Sequence, residues 1–420
     1  MMKFNIQNYG ALPNGELCTS QIQNAIDDCF SSGGGEVLIP EGVYLTGGLR
    51  LRSGVTLHLL ENAVLSGSTS PEDYMTYIND SIEPISEEER QMPVSTIKSG
   101  ATVGRSVYPY SRWNNAIIRA INAKNIAIIG ERGSEINGQN CFDPEGEENY
   151  RGPHAINMWF CENITLRGYT VRDSANWAHA IQNSQNISIC EVTVLGGHDG
   201  FDVRTCDDIL VENCTFTTGD DCIAGFDNIN VLVKNCEISS ACSAFRYGGY
   251  NILVEDCHIY GPCQYQFRGT FTREEKIAGV YTSASPKARN NMLSLLTNFV
   301  SADLPVRHAP GKIVFNNCVV ENADRFLHLN LSGNEAWQVG HPPKDITFEN
   351  ITVNGSSVAA NAYGNDELPF RLTMKNIDYT LRNGFEEKSF INLGKYGEIV
   401  FEDVTIHNFK GNELIKTWGD

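Results

Sequence analysis

Short apolar runs recur along the middle of the chain at a nearly constant spacing, and apolar and polar residues alternate within each run. The first apolar residues of five successive runs, separated by steps of 23, 22, 22 and 21, are Ile164, Ile187, Ile209, Val231 and Ile252. Alternation over a few residues is typical of a β-strand, and a fixed period of ~20–30 residues is typical of a solenoid. The pattern resumes at Lys312, Asp345, Arg371 and Glu398.

An asparagine or aspartate precedes each run, which suits a turn residue whose side chain bonds its own backbone. These turn residues are Asn163, Asn186, Asp208, Asn230 and Asn251. Stacked strands with such turns form a parallel β-helix, in which equivalent residues of successive coils lie ~4.8 Å apart. The sequence therefore predicts an all-β fold, a right-handed parallel β-helix whose interior holds the repeating apolar residues.

The N-terminal segment predicts a cap for this solenoid. Ser20 and Gln23 form a capping-box pattern that opens a helix through about Cys29, and this helix should cover the open first coil. No composition change marks a linker, so we expect a single domain over residues 1–420.

Two long interruptions of the period are expected to be insertions, at about 70–112 and 270–310. The step from Ile252 to Ile313 is 61 residues, where two coils would take roughly 44 on the observed period. Long connections commonly form walls or lids over a cleft, and the alternative is a plain surface loop.

Net charge and cysteine content limit which binding partners and which cellular compartment we expect. The formal charge of −19 disfavours nucleic acid and anionic membranes as partners, and no apolar run of ~18 residues predicts a membrane helix. Thirteen cysteines without a CxxC pair predict buried, reduced thiols and no metal site. Seven of the cysteines fall in two columns of the repeat, one with Cys214, Cys236, Cys257 and Cys318 and the other with Cys222, Cys242 and Cys263. With no visible signal peptide, we expect a cytoplasmic protein without a cofactor.

Three aspartates one coil apart are the candidate chemistry. Asp199 stands in GGHDGFD, and Asp220 and Asp221 stand in TTGDDCIAG. Carboxylates at close range suppress each other's ionisation, so a fold that crowds them favours one proton donor beside ionised partners. That combination is what cleavage of a glycosidic bond requires.

Over nearly its whole length the chain resembles glycoside hydrolase family 28, the polygalacturonase family. Similar strings are NYGA at Asn8, GGGEVLIPEGVYLTG at Gly33, NIAIIG at Asn125, ING at Ile136, RGPHAI at Arg151 and SANWAHAI at Ser174. Of the family's four active-site boxes, the Asn-Thr-Asp box is matched by GHD at 197–199 and the Asp-Asp box by TGDDCIA at 218–224. The resemblance implies Asp199 and Asp220 as carboxylates that activate water and Asp221 as the general acid, with inversion.

The family's other two boxes are altered in this chain. Ser243 stands where the Gly-His-Gly box has its histidine, and QFR, ending at Arg268, stands where the Arg-Ile-Lys box should lie. In the family, that Arg and Lys hold a galacturonate carboxylate. We therefore expect Arg268, Gln266 and Arg246 to contact the substrate, the alternative for the arginines being surface ion pairs.

Four residues beside the aspartates are weaker candidates. His198 adjoins Asp199 and could replace the missing family histidine, or it is an ordinary turn residue. Trp177 could form a sugar-stacking platform or pack in the core, and His179 is a substrate-binding candidate on the same coil. Asp202 either faces the cleft or pairs with an arginine.

Together these features predict a glycosidase that inverts configuration and acts from chain ends on short oligosaccharides, with uronic acids as candidate constituents. Long polygalacturonate should be a poor substrate, since the family's carboxylate grip is reduced and a charge of −19 repels a polyanion. The alternatives are a polysaccharide lyase or epimerase on the same solenoid, and a non-catalytic carbohydrate-binding solenoid.

Overall fold

The chain forms a right-handed parallel β-helix, as predicted. Each coil contributes strands to three parallel sheets, and each strand pairs with its equivalents on the preceding and following coils. This computed structural model describes residues 2–78, 112–282, 288–300, 307, 311–330, 338, 343–364, 369–386 and 388–417. Among these residues, no helix has the length and apolar character needed to cross a membrane.

The sheet that holds the aspartates at its edge is called the groove sheet. Its strands are Leu49–Arg50, Ala116–Ile121, His154–Trp159, His179–Gln182, Phe201–Arg204, the first part of Ile223–Lys234, the first part of Ser243–Glu255, Met292–Asn298, Ala323–Asn330, Ala360–Tyr363, Ser389–Gly394 and Glu413–Thr417.

Two further sheets complete each coil. The second sheet comprises Lys3–Asn5, Gly35–Ile39, Val55–Leu59, Lys124–Gly130, Glu162–Arg167, Gln185–Cys190, Asp207–Glu212, the later parts of Ile223–Lys234 and Ser243–Glu255, Lys312–Asn316, Asp345–Ser356, Phe370–Leu381 and Tyr396–His407. The third comprises Gly42–Thr46, Ala63–Gly67, Glu135–Asn137, Thr170–Arg172, Thr193–Gly196, Thr215–Thr218, Glu237–Ser240, His258–Tyr260 and Val319–Glu321, continued by the ends of the last three long strands.

The remaining elements lie outside these sheets. They are the α-helices Thr19–Ser31 and Arg273–Ala278, the 3-10 helices Ile6–Tyr9, Pro71–Ile78, Arg112–Asn114 and Arg268–Thr270, and the strand Phe142–Glu147.

The predicted apolar stack forms the core of the second sheet. Ile187 pairs with Ile209, Ile209 with Val231, and Val231 with Ile252, and all four side chains are buried. Alternation in each run thus directs one side chain inward and the next outward, and that is the register on which the sequence interpretation depended.

The N-terminal helix Thr19–Ser31 covers the first coil, as predicted, with Ile22, Ala25, Ile26 and Cys29 buried. The predicted capping box is wrong. The N-cap residue is Cys18, which makes no side-chain cap bond, and the Gln23 side chain instead bonds the backbone of Arg50. Because the helix packs on the strands, the polar side chain of Gln23 bonds a strand backbone and not the helix N-terminus.

The turn asparagines differ from the prediction in where their side chains bond. Asn163, Asn186 and Asn230 have positive φ angles of 59°, 56° and 56°. Their amides reach the equivalent residue of the preceding coil, and the Asn230 Nδ2 atom donates to Asp208 Oδ1 at 2.9 Å. Asparagine and aspartate tolerate the left-handed region better than most residues, so the backbone conformation of the turn favours these residue types. Their side chains then form a ladder of hydrogen bonds between coils.

The cysteines are free thiols, and one predicted column is confirmed. Cys214, Cys236, Cys257 and Cys318 are buried, and neighbouring thiols along the column contact each other. The second column is wrong at one position. Cys222 and Cys263 both bond the Ser239 carbonyl, whereas Cys242 lies outside the core beside Asp220 and Asp221.

The first predicted insertion lies largely outside the described residues, which stop at 78 and resume at 112. The second differs from the prediction. Ile252 pairs directly with Ile313, so the 61 residues between them belong to one coil and not to two. The strand Met292–Asn298 lies within the expected insertion and continues the groove sheet, pairing with Ser243–Glu255. The segment between the strands His258–Tyr260 and Met292–Asn298 is called the excursion 261–291, and the structure describes residues 261–282 and 288–291 of it.

The asparagine ladder predicts a specific stability difference at Asn230. Asn230→Ala should lower the free energy of unfolding by about 1–2 kcal/mol, because alanine is strained at positive φ and two ladder bonds are lost. Asn230→Gly should lose less, because glycine adopts this conformation freely. Thermal unfolding of both variants measures the order, and an alanine variant as stable as the glycine variant would contradict the role of φ.

Candidate active site

Asp199 and Asp221 lie on successive coils at the edge of the groove sheet. Each precedes by two residues the registered pair Phe201 and Ile223, and the Gly200 amide donates to the Asp221 carbonyl at 3.0 Å. Asp220 occupies the turn just before Asp221, and all three residues are buried. The solenoid register therefore brings the three predicted catalytic carboxylates together.

Each member of the Asp220–Asp221 pair lies beside an arginine, and Arg151 also pairs with Glu148 at 3.2 Å. The Arg151 guanidinium lies 3.5 Å from an Asp220 oxygen, and Arg246 lies 3.5 Å from an Asp221 oxygen. Asp221 also accepts a hydrogen bond of 2.9 Å from the Ser243 amide. Two positive charges thus partly balance three buried carboxylates, and the remaining imbalance favours retention of protons.

Burial and crowding raise proton affinity in this cluster. Burial, with the negative charges of Asp220 and Asp221, raises the pKa of Asp199 well above its usual range. Burial and the neighbouring Asp221 raise the pKa of Asp220 to about 6, against the opposing charges of Arg151 and Arg246. The free protein therefore holds protons on carboxyl groups at a pH where exposed aspartates have lost them.

The paired carboxylates are closer together than expected for an acid and a base that enclose water. Ligand atoms of Asp220, Asp221 and Cys242 all lie within 4.8 Å of one another, whereas inverting pairs are ~6.5–9.5 Å apart. The same three atoms are spaced as metal ligands would be. Arg151 and Arg246 already provide cationic partners for the two carboxylates, and we assign no metal here.

Aromatic and histidine side chains adjoin Asp199 on the side of the earlier coils. Trp177 precedes Asp199 by one coil in the register, and Arg204 lies over its ring at 4.4 Å. His198 is buried 5.9 Å from the Tyr150 ring, and burial with the nearby charge of Arg151 holds its pKa well below the usual range. Within the described part of the chain, its Nδ1 atom has no hydrogen-bond partner.

One of the sequence candidates, His179, does not reach the groove. His179 pairs in register with the buried Phe201, and its ring nitrogens contact the Tyr169 hydroxyl and the Gly200 carbonyl at 3.0 Å. The prediction that His179 binds substrate is therefore wrong, because strand alternation turns its side chain inward. Asp202 forms two hydrogen bonds with Arg204, at 2.7 and 2.8 Å, which is the structural alternative considered for it.

Arg268 and Gln266 lie elsewhere than the box alignment suggested. The coil after Arg246 is continued by Thr297, so Arg268 does not follow Arg246 along the groove sheet. Its guanidinium lies against Gly197, donates to the Ser174 carbonyl at 3.2 Å and lies 4.3 Å from the Tyr281 ring.

The excursion 261–291 thus folds back onto the earlier coils and needs glycine there. A Cβ atom at Gly197 would lie 1.9 Å from the Arg268 Nε atom, and one at Gly219 would lie 2.1 Å from the Gln266 carbonyl oxygen. Arg268 and Gln266 therefore lie beside the aspartates, on the side of the earlier coils. The path of the excursion that carries them is not predicted by any local sequence pattern.

Several site residues were missed by the sequence interpretation. Arg151 stands in the RGPHAI string, but no sequence pattern indicated its partner Asp220, which lies three coils later in the chain. Cys242 was placed in a buried column, although its neighbour Ser243 had been placed at the site. A cavity of about 520 Å³ lies next to Asp221, and Arg325 and His328 line it. Their alignment with the aspartates follows only once Ile252 and Ile313 are known to be one coil apart.

The raised pKa of Asp220 predicts a pH-dependent stability difference. Its folded pKa, about 6, exceeds the ordinary value near ~3.9, so its contribution to stability is complete below that value and lost as pH rises through about 6. Asp220→Asn removes this ionisation. The free energy of unfolding of the variant minus that of the wild type should therefore grow between pH 4 and pH 8, by up to about 3 kcal/mol.

Denaturant unfolding across this pH range provides the measurement. Asp208→Asn is the matched control, because Asp208 is an exposed turn residue at φ 57°, where asparagine is equally suited. A difference between the Asp220 variant and wild type that stays constant with pH would contradict the crowded-carboxylate interpretation.

Comparisons with known proteins agree on a family. The sequence model for glycosyl hydrolases family 28 matches residues 87–260. A probable polygalacturonase from Vitis vinifera is 26% identical over 243 residues, 54% of this chain and 45% of the relative. An exo-poly-alpha-D-galacturonosidase from Dickeya chrysanthemi is 27% identical over 249 residues, 52% of this chain and 41% of the relative. The chain thus matches less than half the length of either relative.

Solved structures agree on the architecture. The exopolygalacturonase from Thermotoga maritima superposes with a TM-score of 0.63 at 16% identity, covering 99% of this chain and 92% of that one. At this identity the likeness shows the fold alone. The family model, in contrast, spans the segment that contains Asp199, Asp220 and Asp221. The resemblance of this chain to glycoside hydrolase family 28 is therefore confirmed.

Proposed function

We propose that this protein is a glycoside hydrolase that acts on short oligosaccharides containing uronic acid. The observation that supports this most is the convergence of Asp199, Asp220 and Asp221 on one edge of the groove sheet, with protons favoured by burial and crowding. A proton donor next to ionisable partners is the combination that glycosidic cleavage needs. The names of the matched relatives, a polygalacturonase and an exo-galacturonosidase, support an acidic sugar.

In the proposed mechanism, Asp221 donates a proton to the oxygen of the leaving sugar as its bond to the anomeric carbon breaks. Asp199 accepts a proton from a water molecule that attacks the same carbon from the opposite face, and Asp220 acts as an ionised carboxylate beside Asp221. Arg151 and Arg246 limit the electrostatic cost of the ionised carboxylates between turnovers. The products are a sugar with inverted anomeric configuration and the leaving part of the oligosaccharide, which now ends in a free hydroxyl.

Inversion requires that the water lie between Asp221 and Asp199, because Asp220 is too close to Asp221 to enclose it. A close carboxylate pair is otherwise typical of enzymes that retain configuration through a covalent intermediate. Asp220 and Asp221 are chain neighbours linked by a hydrogen bond of 3.1 Å from the Asp221 amide to Asp220 Oδ1. This arrangement favours a joint role at one side of the sugar, and the product anomer decides between the two outcomes.

Attack at chain ends is supported by the excursion 261–291. It covers the groove sheet beside Gly197 and Gly219, on the side of the earlier coils, while the cavity next to Asp221 lies on the side of the later coils. A substrate that enters from the later coils would therefore end at the aspartates. We further propose a reducing compartment, the cytoplasm, as the working location, which the thirteen free thiols support.

The catalytic assignment predicts the effect of Asp221→Asn. Loss of the proton donor should lower kcat on an oligogalacturonide or a related oligouronide by about 10³-fold or more, without loss of folding. Asp208→Asn, the exposed turn aspartate, should retain wild-type kcat. Proton NMR of the first product formed should show the inverted anomer.

Four results would contradict this proposal in different ways. Wild-type kcat in the Asp221→Asn variant would remove its role as the acid. A retained anomer would reject direct attack by water. An unsaturated product that absorbs in the ultraviolet would identify a lyase, and sugar binding without any product would identify a binding protein.

The cation beside Asp220 predicts a shift in the pH profile. Asp220 must be ionised for its role beside Asp221, so kcat/KM should fall as pH drops through about 6. Arg151→Gln removes a charge that lowers the pKa of Asp220 and should move this acidic limb to higher pH. Arg172→Gln, which alters an ion pair with Glu135 on the third sheet, is the control and should leave the limb in place. An unchanged limb in the Arg151 variant would contradict the assignment.

A further inference from the structure

The groove continues past Asp221 toward the later coils, along positions that neither the motifs nor the relatives assign. Ser243 follows Asp221 on the next coil, Ser243 pairs with Ser294, and Ser294 pairs with Arg325. Three coil steps at ~4.8 Å each place Arg325 about 14 Å from Asp221. That distance exceeds the length of one pyranose ring, so more than one sugar fits between the two residues.

A cavity occupies this interval. Its volume is about 520 Å³, within the ~300–1,000 Å³ usual for ligand clefts, and Asp221 stands at one end with Arg325 and His328 at the other. Between the ends lie Arg246, whose guanidinium faces Asp221, and the hydroxyls of Ser243, Ser294 and Thr297, which bond one another. Beyond the Arg246–Asp221 pair, the middle of the cavity thus offers uncharged hydrogen-bonding groups.

The two arginines of the cavity differ in how their charge is balanced. Arg246 lies 3.5 Å from an Asp221 carboxylate oxygen. The Arg325 Nε atom donates to the Ala359 carbonyl at 3.1 Å, and its NH1 group lies 3.2 Å from His328 Nδ1. Because a guanidinium can only donate, His328 Nδ1 is the acceptor of this hydrogen bond.

Asp324, the other carboxylate that lines the cavity, is engaged elsewhere. Its oxygens accept from Ser357 at 2.9 Å and lie 3.5 Å from Arg382. Among the residues that the structure describes, no carboxylate forms an ion pair with Arg325, so its positive charge is available to an anionic ligand. Arginine's forked donors suit a carboxylate.

We infer that Arg325 holds the carboxylate of a uronic acid on the leaving-group side of the substrate, at least one sugar beyond the unit next to the cleaved bond. The inference rests on the proposed function, since Asp221 marks the position of that bond. The adjacent unit meets the hydroxyls of Ser243, Ser294 and Thr297 and needs no charge of its own. Arg325 is then a specificity-determining residue for oligosaccharide length and charge.

Equilibrium binding tests this inference. Isothermal titration calorimetry would use Asp221→Asn as the parent protein, so that no turnover occurs, with digalacturonate, tetragalacturonate and fully methyl-esterified tetragalacturonate as probes. The esterified probe has the same length without the charges. We expect the parent to bind tetragalacturonate at least tenfold more tightly than either other probe.

Substitutions at Arg325 should remove this preference selectively. Arg325→Gln in the parent should weaken tetragalacturonate binding about tenfold or more, because an arginine–carboxylate pair is lost, and change digalacturonate binding less than twofold. Arg325→Lys should retain part of the preference. Arg371→Gln, at an exposed arginine of the second sheet paired with Glu398, should change neither.

Equal weakening of the short and long probes by Arg325→Gln would overturn the inference, as would unchanged tetragalacturonate binding or no measurable binding to the parent. Thermal unfolding of each variant separates a folding defect from a lost contact. The hydrolysis proposal fails separately: a wild-type protein that shows the Arg325-dependent preference but releases no sugar would be a binding protein with this same subsite.

Discussion

Parallel strands stack about 4.8 Å apart, so equivalent positions of successive coils are brought into contact whether or not their chemistry favours it. Asp199 and Asp221 occupy such positions, and Asp220 adds a third carboxylate from the turn. In water the three groups would separate and ionise. In this fold the backbone hydrogen bonds of the sheet hold them together, and the electrostatic cost appears as raised proton affinity.

Charge around the cluster explains how the fold tolerates it. Arg151 and Arg246 reach the two paired aspartates, while Asp202 is fully engaged by Arg204 on the same strand. The desolvation free energy of three buried, unpaired carboxylates would exceed the stability of a typical domain. Ion pairs with arginines and protonation of the carboxylates therefore both reduce the buried charge. The same protonation sets the pH at which Asp220 is ionised, which links the stability of the groove to its proposed chemistry.

Periodicity sufficed to predict the fold, because each strand's alternation and each turn's backbone conformation are local properties. The register of Ile187 to Ile252 followed directly from the spacing. The aspartates were located for the same reason, since they lie on coils of regular length. His179 failed because assigning it to the groove ignored the alternation, which turns its side chain toward Phe201.

The irregular coil set the limit of the sequence interpretation. Its length hides an excursion and a strand, so residues beyond it, such as Arg325, could not be aligned with Asp221. Arg268 seemed to follow Arg246 in sequence, yet the excursion returns it to the earlier coils. Cys242 was missed because a cysteine column looks the same from sequence whether the thiol faces the core or the groove.

The most direct test of the account is the ionisation state of the three aspartates in the free protein. Carbon-13 NMR of aspartate-labelled protein, assigned with the single asparagine variants at positions 199, 220 and 221, would follow each carboxyl group with pH. The account predicts that Asp199 titrates well above the ordinary aspartate value and that Asp220 titrates near pH 6. Titration of both groups near the ordinary value of ~3.9 would contradict it.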